Sequence, residues 1–443
     1  MPVAVPAYAG KDVSAAPPGH RFRLYFDGWQ DNWHLNKDKK YATLKGSCGL
    51  GRDATANVSS LRARQCALAA ASGDVLTLDA RSTAPLVTGV GMEHPLENGF
   101  AFLDPYGLPY LPGSGVKGVI RRAAEELVLF SDDPKGWSVG AVWWLFGFDA
   151  TSAYLARAEV NDEAAERWRQ AYFESLKRDR DLASALIAAH RDALKEEACR
   201  DVLERGPEAL PGSKACRRIH QAGALEFWDA FIAPAGDRMR VDIMNPHFSH
   251  YYQNGGPPSD DGSPNPIFFL AVPAGSELTF HVRFQPGGNV PARVHESWMA
   301  LVREAFLYAL DWLGFGAKTA VGYGRMVLDK EAGDRRRAES EKRETERRRR
   351  EDEARKAREA EERRQQIESL GPLERLLLEL KDCNDNRAHE IFAKELPKLS
   401  GEEKGALAIG LREAYIRLGK WTGRQSDKQS TKNRTLESII GDK

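Results

Sequence analysis

Two glycine-and-cation segments hold the residue types in this chain best suited to chemistry. In LPGSGVKGVIRR, residues 111–122, Gly113 and Gly115 bracket Ser114, Gly118 follows, and Lys117 and Arg121 stand four apart. Glycines at a helix start let backbone N–H groups approach an anion, Ser114 is placed to cap the helix, and residues four apart share a helical face. Such a donor set suits a sugar-phosphate backbone, which it grips without reading base identity. The plainer reading is a glycine turn that opens a helix whose cations face solvent. A triphosphate loop fits less well, because Val119 stands where that motif needs a lysine after Gly118.

The second segment is GFGAKTAVGYGR, residues 314–325. Its glycines, Gly322 and Gly324 among them, permit close approach, Lys318 and Arg325 supply charge, and Tyr323 offers a face for stacking on a base. Tyr323 closing the edge of a core in a tight, positive-φ connection is the plainer alternative. Thr319 occupies the position of the third glycine in a dinucleotide fingerprint, so that motif is not met.

Histidines offer a third kind of chemistry. DIMNPHFSHYY, residues 242–252, with Asp260 and Asp261 beyond it, places Asp242, His247 and His250 as metal or acid–base candidates. His94, His247 or His250 with Lys117 or Lys318 can also be combined into a metal-independent RNA cleavage site, in which a base activates a ribose 2′-hydroxyl and a cation stabilises charge. Pro95 and Pro246 adjoin His94 and His247, so both histidines sit in shaped loops, and structural hydrogen bonds or subunit contacts are the favoured role. GxSxG and HExxH motifs are absent from the sequence, and the five cysteines form no CxxC pair. No metal site, cofactor or catalytic residue is expected.

Lys plus Arg and Asp plus Glu both total 64, so net charge makes no case for nucleic acid and any such case must be local. An apolar content of 42% in 443 residues is enough for a full core plus additions. The opening MPVAVPAYAG lacks a basic region followed by a long apolar stretch. No run of about 18 apolar residues follows anywhere, so a soluble, cytoplasmic protein is expected.

The elements that must position these residues follow from periodicity. Residues 1–20, rich in Pro, Ala and Gly, read as a flexible lead-in, and RFRLYF from Arg21 alternates as a strand does. DVLTLDARS is a strand, and SGVKGVIRRAAEELVLF places Val116, Ile120, Ala123 and Leu127 on one helical stripe. ALEFWDAFIAP and SELTFHVRF are β-rich. ESWMALVREAFLYALDWLG carries Trp298, Leu301, Val302, Ala305, Ala309 and Trp312 at helical spacing before GYGRMVL returns to a strand. The order β, α, β, β, α, β is the split βαβ of an α+β, ferredoxin-like (RRM-like) domain over 21–330.

Residues 150–220 read as a helical insertion, one helix carrying Trp168 and Tyr172 and another Leu182, Leu186, Leu194 and Leu203. Residues 331–368 are a solvated charged helix or a linker, because the stretch from Asp334 to Gln366 lacks apolar a and d positions. Residues 369–443 are a small helical appendage, with Pro372 early in one helix and a capping box over Ser400 to Glu403 before another.

LPGSGVKGVIRR resembles the PGSS-KG-R element of the RAMP superfamily, and GFGAKTAVGYG resembles that family's C-terminal glycine-rich loop. GVGMEHPLENG, LFG at 145–147, AGALEFWDA and DIMNPHFSHYYQNGGPPSDDGSPNPIFFLAV look like the sixth-subunit RAMP family of type III-B CRISPR Cmr complexes. The resemblance covers roughly 21–328. It implies a non-catalytic subunit that grips CRISPR guide RNA, meets target RNA through that guide and packs against other RAMP subunits, away from membranes. The RNA-binding set it implies is Gly113, Ser114, Gly115, Lys117, Gly118, Arg121, Lys318, Gly322, Tyr323, Gly324 and Arg325, with Asn245, His247, His250 and Tyr251 in a subunit or RNA contact loop. Gly115 stands where many relatives carry a second serine, which removes a hydroxyl contact. Some RAMP relatives cut RNA, so a metal-independent endoribonuclease processing CRISPR RNA is the alternative.

Overall fold

The computed structural model describes residues 8, 12–30, 32–152, 163–195, 199–245, 255–257, 266–285 and 290–441. The chain divides into two compact units, Met1–Ser340 and Glu341–Lys443.

The first unit is mixed helix and sheet. Its centre is a four-stranded sheet in the order β11-β1-β10-β6, from β1 (Val75–Ser82), β6 (Leu225–Phe227), β10 (Glu277–Phe284) and β11 (Met326–Leu328). All three pairings are antiparallel, with Leu78 opposite Phe280 and Ala80 opposite Leu328. Alternation sends Leu78, Ala80, Leu278, Phe280 and Val282 to a buried apolar face. Helices α4 (Gly113–Phe130) and α9 (Ala292–Tyr308) pack together over that core, and Phe306 of α9 meets Phe280 at 5.3 Å between ring centroids. The expected stripe of Val116, Ile120, Ala123 and Leu127 is buried as the spacing predicts.

The opposite face of the sheet is polar and still covered. Thr77, Asp79 and Arg81 of β1 lie opposite His281, Thr279 and Glu277 of β10. Arg62 of α3 (Arg52–Ser72) reaches Glu277 at 3.3 Å and Thr279 at 3.4 Å. Arg336, in the first turns of α10 (Lys330–Ser369), bonds Asp79 at 2.8 Å, and Arg81 bonds Asp329 at 2.7 Å.

Several sequence expectations need correction. RFRLYF is not a strand: α1 (Pro18–Arg23) takes in its first half, with Pro18 at the favoured start, and Phe22 buried on a stacked His94 ring. Folding therefore begins within the expected lead-in, where Pro18 and Gly19 are buried. ALEFWDAFIAP is two strands, β6 and β7 (Ala230–Phe231), in different sheets; β7 pairs with β3 (Leu108–Leu111), which in turn pairs with β2 (Phe102–Leu103). Trp312 is not core: the last turn over Ala309–Leu313 widens to a π-turn, which rotates Trp312 outward to 70% exposure.

The insertion begins and ends on a two-stranded bridge, β4 (Gly147–Phe148) with β5 (Gln221–Ala222), directly after the buried α5 (Val139–Phe146). Tyr172 is on α6 (Glu163–Arg178) and Leu182 and Leu186 are on α7 (Arg180–Ala189), all buried. Leu194 and Leu203 do not extend that helix. Leu194 is buried in a separate 3₁₀ turn, and Leu203 is exposed on the short α8 (Arg200–Arg205).

In the second unit α11 (Pro372–Asp382), α12 (Asp385–Glu390), α13 (Gly401–Arg417) and α14 (Asp427–Gly441) surround a core that includes Leu380, Ile391, Leu407, Leu411, Tyr415 and Leu436. The charged stretch ahead of it is continuous helix, laced by pairs such as Arg347–Glu351 and Arg349–Glu353. Ser400 stands at an N-cap but its side chain makes no capping bond. The reciprocal Glu contact occurs instead at α11, where Gly371 N–H donates to Glu374 at 2.9 Å.

Candidate nucleic-acid interface

Helix α4 opens at Pro112, whose backbone is extended, so Ser114 lies inside the first turn and does not cap. The amide of Gly113 is already committed, donating to Asp229 Oδ1 at 2.7 Å. A Cβ at Gly113 would collide with the Phe227 carbonyl, so this glycine is a packing requirement between α4 and β6. Ser114, Gly115 and Gly118 are exposed, and a Cβ at either of these two glycines would meet nothing within 4 Å. They leave a shallow, side-chain-free strip along the helix.

The two cations beside that strip differ. Arg121 is held by Glu125 at 3.0 Å. Lys117 is half-buried and has no carboxylate partner among the described residues; burial, then the charge of Arg121, pushes its pKa down. A phosphate is the chemistry that reverses this, because an anion near the ammonium favours its charged form.

The glycine-rich loop leaves α9 through Gly314 at φ +72° and is pinned to the segment after β1. Ala317 N–H donates to Val87 O at 2.7 Å, Gly324 N–H to Pro85 O at 2.8 Å, and Phe315 is buried beneath. Lys318 adopts φ +60°, and its Nζ lies 3.3 Å from Met244 Sδ and 5.1 Å from the Phe269 ring centroid. Tyr323 donates its hydroxyl to Asp242 at 2.9 Å and its ring packs beside Phe269; burial, then this carboxylate, pushes the phenol pKa up. This is its packing role. Gly322, at φ +95°, borders open space, and Gly324, at φ +72°, is pressed against Phe315. Arg325 is exposed and donates to the carbonyl of Asp311 at 3.1 Å, next to the exposed Trp312.

No hydrogen bond or ion pair among the described residues joins the Ser114–Arg121 group to the Lys318–Arg325 group. Asn245 is exposed just after β8 (Arg240–Met244), which pairs with β9 (Ile267–Ala271). His247, His250, Tyr251, Asp260 and Asp261 lie outside the described residues.

His94 is described, and both its ring nitrogens are occupied. Leu96 N–H donates to Nδ1 at 3.1 Å, so Nε2 carries the proton it shares with the Phe22 carbonyl at 2.9 Å. Burial pushes its pKa down. The ring fastens α1 to its loop and has no lone pair left to act as a base. Among the described residues no group of three or more His, Cys, Asp or Glu is placed to hold a metal ion. No described helix is long and apolar enough to cross a membrane.

Sequence reasoning missed Asp229, the partner of Gly113, and took Asp242 as a metal or acid–base candidate where it is the partner of Tyr323. It also missed the polar sheet face, although TLDAR and LTFHVR both alternate polar with apolar residues.

A family model described as the RAMP superfamily matches residues 79–327, more than half of the chain. The chain is 29% identical over 255 residues to the CRISPR system Cmr subunit Cmr6 of Pyrococcus furiosus, an alignment covering 56% of this chain and 66% of that relative. Among solved structures, a crystal structure of Cmr6 from Pyrococcus furiosus matches at 25% identity over 57% of this chain and 97% of that one, with a TM-score of 0.25. A chain of a type III-B Cmr-beta complex bound to cognate target RNA matches at 15% identity over 66% and 70%, with a TM-score of 0.34.

Proposed function

This chain belongs to the RAMP superfamily, and from that membership we propose that it is a non-catalytic subunit of a type III-B CRISPR Cmr effector complex, gripping the guide-RNA backbone. Similarity to a curated Cmr subunit supports the complex. One observation carries the grip: at the start of α4 a half-buried lysine, Lys117, has no carboxylate partner among the described residues and adjoins two glycines, Gly115 and Gly118, that leave the backbone open. A phosphate fits there, and nothing in that geometry reads a base edge. Lys318 and Arg325 supply the second contact.

The fold we infer for this domain is the ferredoxin-like split βαβ. It is supported by the chain order β1, α4, β6, β10, α9, β11 together with the sheet order β11-β1-β10-β6. The guide pairs with target RNA, neighbouring RAMP subunits continue the assembly, and the complex works in the cytoplasm without a cofactor. The occupied ring of His94 supports the non-catalytic reading and leaves the endoribonuclease alternative to His247 and His250.

The test is guide-RNA retention in a reconstituted complex carrying Lys117→Glu and Lys318→Glu, with thermal unfolding as the folding control. Retention should fall and its salt dependence flatten, since each lost phosphate contact on a single strand removes about 0.7 from the log–log salt slope. Unchanged retention and slope would falsify the grip. Cutting of repeat RNA by the purified protein, abolished by His247→Ala, would establish the nuclease instead.

A further inference from the structure

Cations in the second unit fall into two populations. Along the exposed helix acids and bases are interleaved and many cations are paired in place: Arg347 with Glu344 and Glu351, Arg349 with Glu353, and Arg364 with Glu368. The stretch 420–434, KWTGRQSDKQSTKNR, is different, with five cations against the single acid Asp427. Lys420 has a distant partner, Asp385 at 3.6 Å. Arg424, Lys428, Lys432 and Arg434 have no carboxylate within 4 Å among the described residues.

The fold holds three of these like charges together, Lys420, Lys428 and Lys432. Gln429 and Asn433 are buried on the inner side of α14, and Gln429 donates to Asn433 Oδ1 at 2.9 Å. Asn433 Nδ2 in turn donates to the Lys420 carbonyl at 2.9 Å, tying the preceding loop to the helix. Lys428 and Lys432 are one helical turn apart on α14. Burial pushes the Lys432 pKa down, and the charges of Lys420 and Lys428 push it further against the opposing pull of Asp385. Like charges one turn apart oppose each other, and a polyanion is the ligand that relieves the opposition.

We propose that Lys420, Arg424, Lys428 and Lys432 form a second RNA-backbone-binding surface, in the C-terminal unit and separate from the glycine-rich loops. Near these cations Thr431 and Thr435 on α14 are exposed and polar, with Ser438 and one acid, Glu437, beyond them, while Leu436, Ile439 and Ile440 face the unit's own core. A lipid surface needs an apolar face, which this surface lacks, and its one aromatic, Trp421, is packed on the unit's own core with Arg412 over its ring, which leaves a protein partner no free anchor. Cations interspersed with hydroxyl and amide groups suit phosphate and ribose, with no selection for sequence.

The experiment uses the full chain and a labelled oligouridine, with affinity measured by fluorescence anisotropy across salt concentrations. Arg424→Glu/Lys428→Glu/Lys432→Glu should reduce the log–log salt slope by about 2, so that affinity varies about 16-fold less between roughly 50 and 200 mM salt. Lys117→Glu/Lys318→Glu should leave that component in place, so failure of the C-terminal surface and failure of the α4 grip read out separately. Because Lys432 is partly buried, Arg424→Gln/Lys428→Gln, at exposed positions only, provides a variant that keeps the fold and should show the same trend. An unchanged slope in both variants, or no oligouridine binding by the parent chain at the lowest salt, overturns the proposal. So does retained RNA binding with lost binding of a polyglutamate peptide, which assigns the surface to an acidic protein.

Discussion

Gly113, Gly115 and Gly118 look alike in the sequence, but only Gly113 is enclosed. Gly113→Ala should destabilise the first unit by about 1–3 kcal/mol, because the added methyl meets the backbone of Phe227. Gly115→Ala meets nothing and should instead stabilise α4 by about 0.5–1 kcal/mol while narrowing the strip open to RNA. Thermal unfolding of the two variants checks both signs. His281, 2% exposed, is a second case where surroundings decide the chemistry. Burial, then Arg336, pushes its pKa down to about 4, against the opposing effect of Asp79. The unfolded chain, with an ordinary value of about 6.5, binds the proton that the folded chain refuses between these two pKa values. The His281 contribution, on the order of 3 kcal/mol, is therefore present above about pH 6.5 and lost as pH falls toward 4. Denaturant titrations across that window should show a shallower acid dependence in His281→Phe.

At the scale of elements, the base of α10 is fixed by charge. Asp79, buried on the polar sheet face, accepts from Arg336 and from Thr279, both at 2.8 Å. Arg336→Ala leaves a carboxylate without its cation in a site closed to water and should cost about 3–5 kcal/mol, read by urea titration. The double variant Asp79→Asn/Arg336→Leu should recover part of that loss. Local pattern announced β1, β10, α4 and α9, because each pairs a strong period with a single apolar face. Helix α3 has only a faint one, Ala54, Val58, Leu61 and Ala69 among many small and polar residues, and sequence reasoning left it unassigned. RFRLYF was misread because its two phenylalanines are buried by contacts with residues about 70 positions away, among them the Phe22–His94 stack.

For the molecule as a whole, equal numbers of acids and bases conceal local excesses of charge, such as five cations against one acid over residues 420–434. The insertion is also more integral to the first unit than a surface addition. Trp144 Nε1 donates to Leu182 O at 2.9 Å, and Gly140 packs directly on Leu182 and Ala183. Replacing residues 149–220 by a short turn preserves the β4–β5 closure yet strips cover from α5. The expected outcome is an aggregated protein in size-exclusion chromatography, and a soluble monomer would contradict it.

The two glycine loops and the strand and helix order were legible from residue type and period, because these features are local in the chain, and the RAMP character from the resemblance of those loops to the family's motifs. Which cations are unpaired was not. Arg121 has Glu125 one turn on, which spacing alone shows, but that no carboxylate from elsewhere among the described residues reaches Lys117 is a fact of the tertiary structure. The role of Tyr323 depended on Asp242 and Phe269, brought to it by pairing of β8 with β9. Long-range contacts of this kind settle charge, exposure and hydrogen-bond capacity, so the tertiary structure decided which of the legible residues are available to a ligand.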